Sequence, residues 1–165
     1  MVDDGLIELR VMKTGKNMIE AVVVSGGELR ENKGVNIPYI KARTDFLTVK
    51  DKQDLTFGIR NGVDFIALSF VCRPSDIVGL RRRIPKSAHT GIIAKIEKRE
   101  AIHHFDGILD VSDAVMIARG DLAVESSSEV VPCLQKELIQ KCNMVMKPVI
   151  TATQMLESMV IHPRP

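Results

Sequence analysis

From Val63 onward, short apolar runs of strand type alternate with stretches of helical character. Val63-Asp64-Phe65-Ile66-Ala67-Leu68-Ser69-Phe70 reads as a buried strand, and Pro74-Ser75-Asp76 opens a helix carrying Ile77, Leu80 and Ile84. Ile92-Ile93-Ala94-Lys95-Ile96-Glu97 is the next strand, followed by a short helix around Ala101 to Phe105. Ala114-Val115-Met116-Ile117-Ala118 follows, with a helix over Val131 to Asn143 whose first turn suits Pro132. Val149-Ile150-Thr151-Ala152 is the last strand, and Gln154-Met155-Leu156-Glu157 begins another helix. Repeated βα units predict a parallel sheet with helical crossovers. A doubly wound sheet and a (β/α)8 barrel both fit. A barrel needs eight units and about 250 residues, whereas this chain has 165. No strand follows to receive the last helix before His162-Pro163-Arg164-Pro165, which favours part of a barrel.

The first residues have another texture. Leu6 to Leu29 alternates near period two and is interrupted by Thr14-Gly15-Lys16-Asn17, a turn composition, so hairpins are predicted. Asn32-Lys33-Gly34-Val35-Asn36-Ile37-Pro38 is an exit loop punctuated by Gly and Pro, and divides the chain into residues 1–36 and 37–165. Thr48-Val49-Lys50-Asp51 has the form of a capping box. The helix it opens should stop near Asn61-Gly62, where a left-handed cap is available.

Composition narrows the function classes. Hydrophobic residues are 45% and charged residues 27%, as in globular proteins. The net charge of +2 gives no electrostatic case for nucleic acid or an anionic membrane surface. No apolar run approaches the roughly 18 residues of a membrane span. The acidic start Met1-Val2-Asp3-Asp4-Gly5 does not resemble a secretory signal. The 3 cysteines, Cys72, Cys133 and Cys142, lack CxxC spacing, which argues against a disulfide framework or zinc site and fits a cytoplasmic location. With no Trp and 8 Met, aliphatic and thioether side chains must fill much of the core.

Chemistry concentrates at strand ends. Lys95 and Glu97 are two residues apart on a strand, so an ammonium and a carboxylate share one face at its C-terminal end. Parallel α/β folds build their sites at that edge. A structural ion pair is the other reading. Arg119-Gly120-Asp121 leaves the next strand at the same edge. Neighbouring strands lie about 4.8 Å apart, so Glu97 and Asp121 could share one divalent cation. Carboxylate donors with no His or Cys nearby suit Mg2+ or Mn2+ better than Zn2+. Gly120, lacking Cβ, would let its amide approach an anion, although Gly-Asp also serves as an ordinary strand-to-helix turn. Thr151 and Thr153 mark the next strand's end, where a hydroxyl and helix amides can hold an anion or simply cap a helix. His103 and His104, being consecutive, cannot share one helical face and read as surface residues. Arg81-Arg82-Arg83 reads as a solvated helix face, and Cys133 and Cys142 as helix residues with no base to activate a thiolate.

Taken in order, five stretches resemble the pyruvate kinase family. They are Val2-Asp3-Asp4-Gly5-Leu6-Ile7, Lys33-Gly34-Val35-Asn36-Ile37-Pro38 and Ile93-Ala94-Lys95-Ile96-Glu97. The others are Ile117-Ala118-Arg119-Gly120-Asp121-Leu122 and the long, specific Lys147-Pro148-Val149-Ile150-Thr151-Ala152-Thr153-Gln154-Met155-Leu156-Glu157-Ser158-Met159. The resemblance implies a TIM barrel with an inserted β lid. Residues 1–36 would then be part of the lid, and residues 37–165 barrel strands four to seven. It further implies phosphoryl transfer from phosphoenolpyruvate to ADP, giving pyruvate and ATP. Lys95 matches the lysine that offsets developing charge. Glu97 and Asp121 match the Mg2+ (or Mn2+) ligands, and Gly120, Asp121 and Thr153, with Lys95, the substrate-binding positions. Lys33 matches a nucleotide-contacting lysine. A K+ ion belongs to the family pattern, with ligands outside this chain, as does a homotetramer. Ala123 stands where many members have Gly, a change that should spare the metal site.

The expectation is therefore a central fragment of such an enzyme, inactive alone. Two other readings stand beside it. One is a non-catalytic truncated product that associates with a full-length subunit, because half a barrel leaves open sheet edges. The other is a metal-dependent lyase or aldolase using the same enolate chemistry.

Overall fold

The computed structural model describes residues 1–3, 5–31, 33–35, 47–127 and 129–153, and the chain divides into two compact units, Met1–Lys41 and Ala42–Pro165. In the first unit, β1 (Glu8–Thr14) and β2 (Ile19–Ser25) form an antiparallel hairpin. The Gly15 amide donates to the Met18 carbonyl at 2.7 Å and closes the turn, one residue later than the expected tetrapeptide. Register shifts at Glu8/Leu9 and Val11/Lys13 break the strict alternation. Val11, Met12, Ile19, Val22 and Val23 are all exposed, and among the described residues of this unit only Val2 and Ile7 are buried.

The second unit opens as its capping box dictates. The Thr48 hydroxyl accepts from the Asp51 amide at 3.1 Å, and Asp51 accepts from the Thr48 amide at 2.7 Å. Helix α1 (Val49–Arg60) follows and ends at Asn61, with Gly62 at φ 67°, where a side chain would be strained. The chain then alternates β3 (Phe65–Leu68), α2 (Pro74–Arg81) and β4 (Gly91–Ile96). Next come α3 (Arg99–His103), α4 (Phe105–Val111), β5 (Ala114–Ala118), α5 (Arg119–Glu125), α6 (Val131–Met144) and β6 (Val149–Ala152).

Two differences from the expected elements matter. The single short helix near Ala101 is two helices broken at His104, because Phe105, Ile108 and Leu109 extend the buried stripe beyond it. Helix α5 was not anticipated: Leu122, Ala123 and Glu125 are good helix formers, and Leu122 is fully buried. The helix expected from Gln154 lies outside the described residues, as do positions 32 and 36–38 of the exit loop.

The four strands β3–β6 form a parallel sheet in chain order, without reversal. Ile92, Ala94, Ile96, Val115 and Ile117 share one face. They form a single core with Ile77 and Leu80 of α2, Phe105 and Ile108 of α4, and Leu138 and Cys142 of α6. Fully burying such a side chain contributes roughly 1.5–3 kcal/mol. On α6, Val131, Leu138 and Cys142 recur at helical spacing and give the buried stripe. The opposite sheet face carries Phe65, Ala67, Ile93, Lys95, Met116 and Ile150, and Phe65 there is 55% exposed. Lys147 donates to the Leu109 and Asp110 carbonyls, tying the approach to β6 to the C-terminal turn of α4.

Candidate active site

Parallel pairing puts the C-terminal ends of β3, β4, β5 and β6 along one edge. Ser69 and Phe70 follow β3, Glu97 follows β4, Arg119, Gly120 and Asp121 follow β5, and Thr153 follows β6. The edge therefore gathers every candidate of the second unit except Thr151, which lies inside β6, and Lys95, which is the penultimate residue of β4 and shares Glu97's parity.

The centre of this edge is an ion pair. Lys95 Nζ lies 2.6 Å from Glu97 Oε1 and donates to Ser69 Oγ at 2.8 Å. Glu97 is only 2% exposed, so its charge must be compensated in place. Its second oxygen accepts from the Phe70 amide at 2.7 Å. Phe70 sits at φ 57°, an uncommon conformation for an aromatic residue. Holding a residue there costs on the order of 1–3 kcal/mol. That turn aims the Phe70 amide back at the Glu97 carboxylate.

Gly120 and Asp121 are the second and third residues of α5, Gly120 half-buried and Asp121 exposed. Their amides belong to a first turn, whose N–H groups lack intrahelical acceptors. Thr153 also has positive φ, 58°, a genuine outlier for a β-branched residue. Its carbonyl accepts from Arg119 Nη2, while Arg119 Nε donates to the Ala152 carbonyl at 3.3 Å and Nη1 to Gln135 Oε1 at 3.4 Å. Thr151, by contrast, pairs in register with Ile117 and lies inside β6 on the core face. In the first unit, Lys33 pairs with Asp3 at 2.8 Å.

The donor set fits Mg2+ or Mn2+. Glu97 follows β4 and Asp121 is the third residue of α5, just past the adjacent β5, and these two carboxylates are the hard oxygen donors that would hold such a cation. Glu97 already receives Lys95 and the Phe70 amide, and a carboxylate has about four lone-pair sites, so it can accept a cation as well. Among the described residues no group of three or more His, Cys, Asp or Glu side chains could hold a metal ion. Mg2+ does not require one, since it commonly takes one or two carboxylates and completes its shell with water and phosphate.

Three contributors lay outside the expected set: Ser69, Phe70 and Arg119. Ser69 had a legible signal, a hydroxyl interrupting an apolar run two residues beyond Ala67, which pairs with Ile93. Phe70 acts through its backbone amide and Arg119 through a guanidinium that reaches distant carbonyls, and neither had such a signal. His103 and His104 are exposed, in line with their surface reading. Arg81 pairs with Asp113 at 2.5 Å, and Arg83 donates to the Gly79 carbonyl. Burial pushes the thiols of Cys72 and Cys142 up, with Glu100 and Asp76 adding at Cys72, so neither is an activated nucleophile.

The family model described as the pyruvate kinase barrel domain matches residues 1–165. Pyruvate kinase of Geobacillus stearothermophilus is 51% identical over 169 residues, covering 100% of this chain and 29% of that protein. Pyruvate kinase of Bacillus licheniformis is 50% identical with the same coverage, and that of Staphylococcus epidermidis is 48% identical over 99% of the chain and 28% of its own length. The chain thus spans less than a third of the curated relatives it matches. With that agreement along its whole length, the chain belongs to the pyruvate kinase family.

Proposed function

We propose that the chain carries the central catalytic edge of a pyruvate kinase, transferring a phosphoryl group from phosphoenolpyruvate to ADP. The observation that carries this reading is the buried Lys95–Glu97 pair, braced by Ser69 and the Phe70 amide at the C-terminal edge of a parallel sheet. A bound Mg2+ (or Mn2+) would supply Lewis-acid stabilisation of enolate and phosphoryl oxygens. Lys95 sets its ammonium against charge that develops on the transferring group and the enol oxygen. Glu97 and Asp121 hold the cation. The first-turn amide at Gly120 and the Thr153 hydroxyl orient the substrate carboxylate, which converts binding into reaction geometry. Lys33 contributes to nucleotide binding. The K+ of the family pattern is not assigned to any residue here.

The sheet supports the architecture proposed with this function. Its strands run in chain order, and its one core face is packed against helices while the other carries Lys95 and exposed apolar groups. A doubly wound sheet reverses its order and buries both faces, so part of a (β/α)8 barrel is the better account. Residues 1–36 would then be part of a lid and residues 37–165 part of the barrel. A cytoplasmic location accords with three free cysteines. Among the described residues no helix is long and apolar enough to cross a membrane.

Mn2+ titration followed by electron paramagnetic resonance tests the ligand assignment. Glu97→Gln and Asp121→Asn are each expected to weaken Mn2+ binding at least tenfold while a cooperative melt persists. Unchanged affinity in folded variants would overturn the assignment. In an assay coupled to lactate dehydrogenase, the 165 residues alone are expected to give no turnover with phosphoenolpyruvate and ADP. A second reading, association with a full-length subunit, is favoured by the exposure of Phe65, Ile150, Val22 and Val23. Size-exclusion chromatography with such a subunit is expected to show co-elution, and a monodisperse monomer would count against it.

A further inference from the structure

Lys98 directly follows Glu97, and its Nζ lies 2.5 Å from Glu125 Oε1 at the last residue of α5. Glu125 is 9% exposed and the Lys98 side chain 31%, so the carboxylate end of the contact is shielded from water while the lysine stays partly solvated. The same ammonium stands 5.6 Å from the centre of the Phe70 ring, close enough for cation–π attraction. Phe70 in turn donates its amide to Glu97. One ammonium of the turn after β4 therefore meets two other segments, the turn after β3 and the far end of α5.

Helix α5 has only seven residues, too few to be stable by itself, and depends on tertiary contacts such as buried Leu122. It also carries Gly120 and Asp121. We propose that the Lys98–Glu125 pair is a positioning clamp that fixes α5, and with it Asp121, against the strand end that carries Glu97. Lys98 and Glu125 are positioning residues that act through Asp121 and Phe70, and the proposal rests on reading Glu97 and Asp121 as metal ligands. An apolar pair could fill the same volume equally well. An ion pair adds direction, because it fixes which residue of α5 meets which residue of the turn.

The test uses the full 165-residue chain and the variants Lys98→Met, Glu125→Gln and the reversed pair Lys98→Glu/Glu125→Lys. Amide hydrogen exchange over residues 119–125 reads the clamp, and Mn2+ binding reads its consequence. Each single variant is expected to speed exchange in 119–125 at least fivefold and weaken Mn2+ about tenfold, while exchange in α6 stays unchanged. The reversed pair is expected to restore most of both. Folded single variants with unchanged exchange in 119–125, or with faster exchange and unchanged Mn2+ affinity, would overturn the proposal. Should both single variants lose the cooperative melt, Glu125→Asp keeps the charge and shortens the reach by one methylene. Its Mn2+ affinity is expected to fall, and an unchanged value overturns the clamp. If Glu97→Gln also leaves Mn2+ binding unchanged while exchange responds as expected, the ligand assignment has failed and the coupling of α5 to the β4 turn has not.

Discussion

Arg119 holds Thr153 by its backbone: the guanidinium on α5 donates to the Thr153 carbonyl and, through Nε, to that of Ala152. A β-branched residue at φ 58° needs such external restraint. The fork of an arginine can reach two consecutive carbonyls, whereas a lysine is a point donor. Arg119→Lys is therefore expected to cost about 1–2 kcal/mol in urea denaturation, the range of hydrogen bonds to charged donors discounted for partial exposure. It should also speed amide exchange at Ala152 and Thr153 selectively. Equal loss of protection throughout β3 to β6 would show that the arginine only stabilises the sheet.

The capping box of α1 makes a pH-dependent contribution. Hydrogen bonds from the Thr48 hydroxyl and then the Thr48 amide hold the Asp51 carboxyl below its ordinary value of 3.8. A lowered folded value means that this contribution is fully present above the unfolded carboxylate's range and is lost as pH falls through the folded value. A carbon-detected NMR titration is expected to find Asp51 titrating below 3.8, and Thr48→Ala is expected to return it toward that value. The same substitution should cost about 1 kcal/mol at neutral pH. An unshifted Asp51 would remove the box as a source of stability.

The cysteines should alkylate in a fixed order at neutral pH. Cys133 is exposed on the first turn of α6, Cys72 is half-buried, and Cys142 is fully buried. Burial raises the Cys72 and Cys142 thiols, which removes reactive thiolate from both. Iodoacetamide labelling with mass spectrometry is expected to modify Cys133 first, Cys72 slowly, and Cys142 only after denaturant is added. Early labelling of Cys142 would mean that α6 separates from the sheet under native conditions.

Local chemistry was legible in proportion to how local it is. Thr48 and Asp51 are three residues apart, and their reciprocal bonds follow from helix geometry alone. The span Ala114–Ala118 was readable because an unbroken apolar run bounded by polar residues has few other uses. Lys95 and Glu97 could be set on one face from the period of a strand, and their contact is as short as that parity allows. Helix α5 escaped notice because its sequence contains Gly120 and offers one short turn of apolar spacing, and its stability comes from Leu122 and Glu125 meeting other segments. Phe70 and Arg119 escaped notice for a related reason. Their contributions depend on a left-handed backbone and on carbonyls from a strand more than thirty residues away, neither of which is written in residue type.

The final expectation concerns the asymmetry of the Lys95–Glu97 pair. Glu97 is 2% exposed, whereas the Lys95 side chain keeps 25% of its surface. Lys95→Met leaves a buried carboxylate with the Phe70 amide as a remaining partner. Removing one member of a buried pair typically costs about 3–5 kcal/mol because the other charge stays uncompensated. Glu97→Gln instead leaves a lysine that still donates to Ser69 and can turn its head toward water. Its side-chain amide also retains an acceptor for the Phe70 amide. Lys95→Met is thus expected to destabilise the fold by more than Glu97→Gln, and the double variant by less than the sum of the two. Urea titration of the four proteins measures this directly. Additive losses would mean that the two side chains do not compensate each other, and the charge arrangement proposed for catalysis would lose its structural basis.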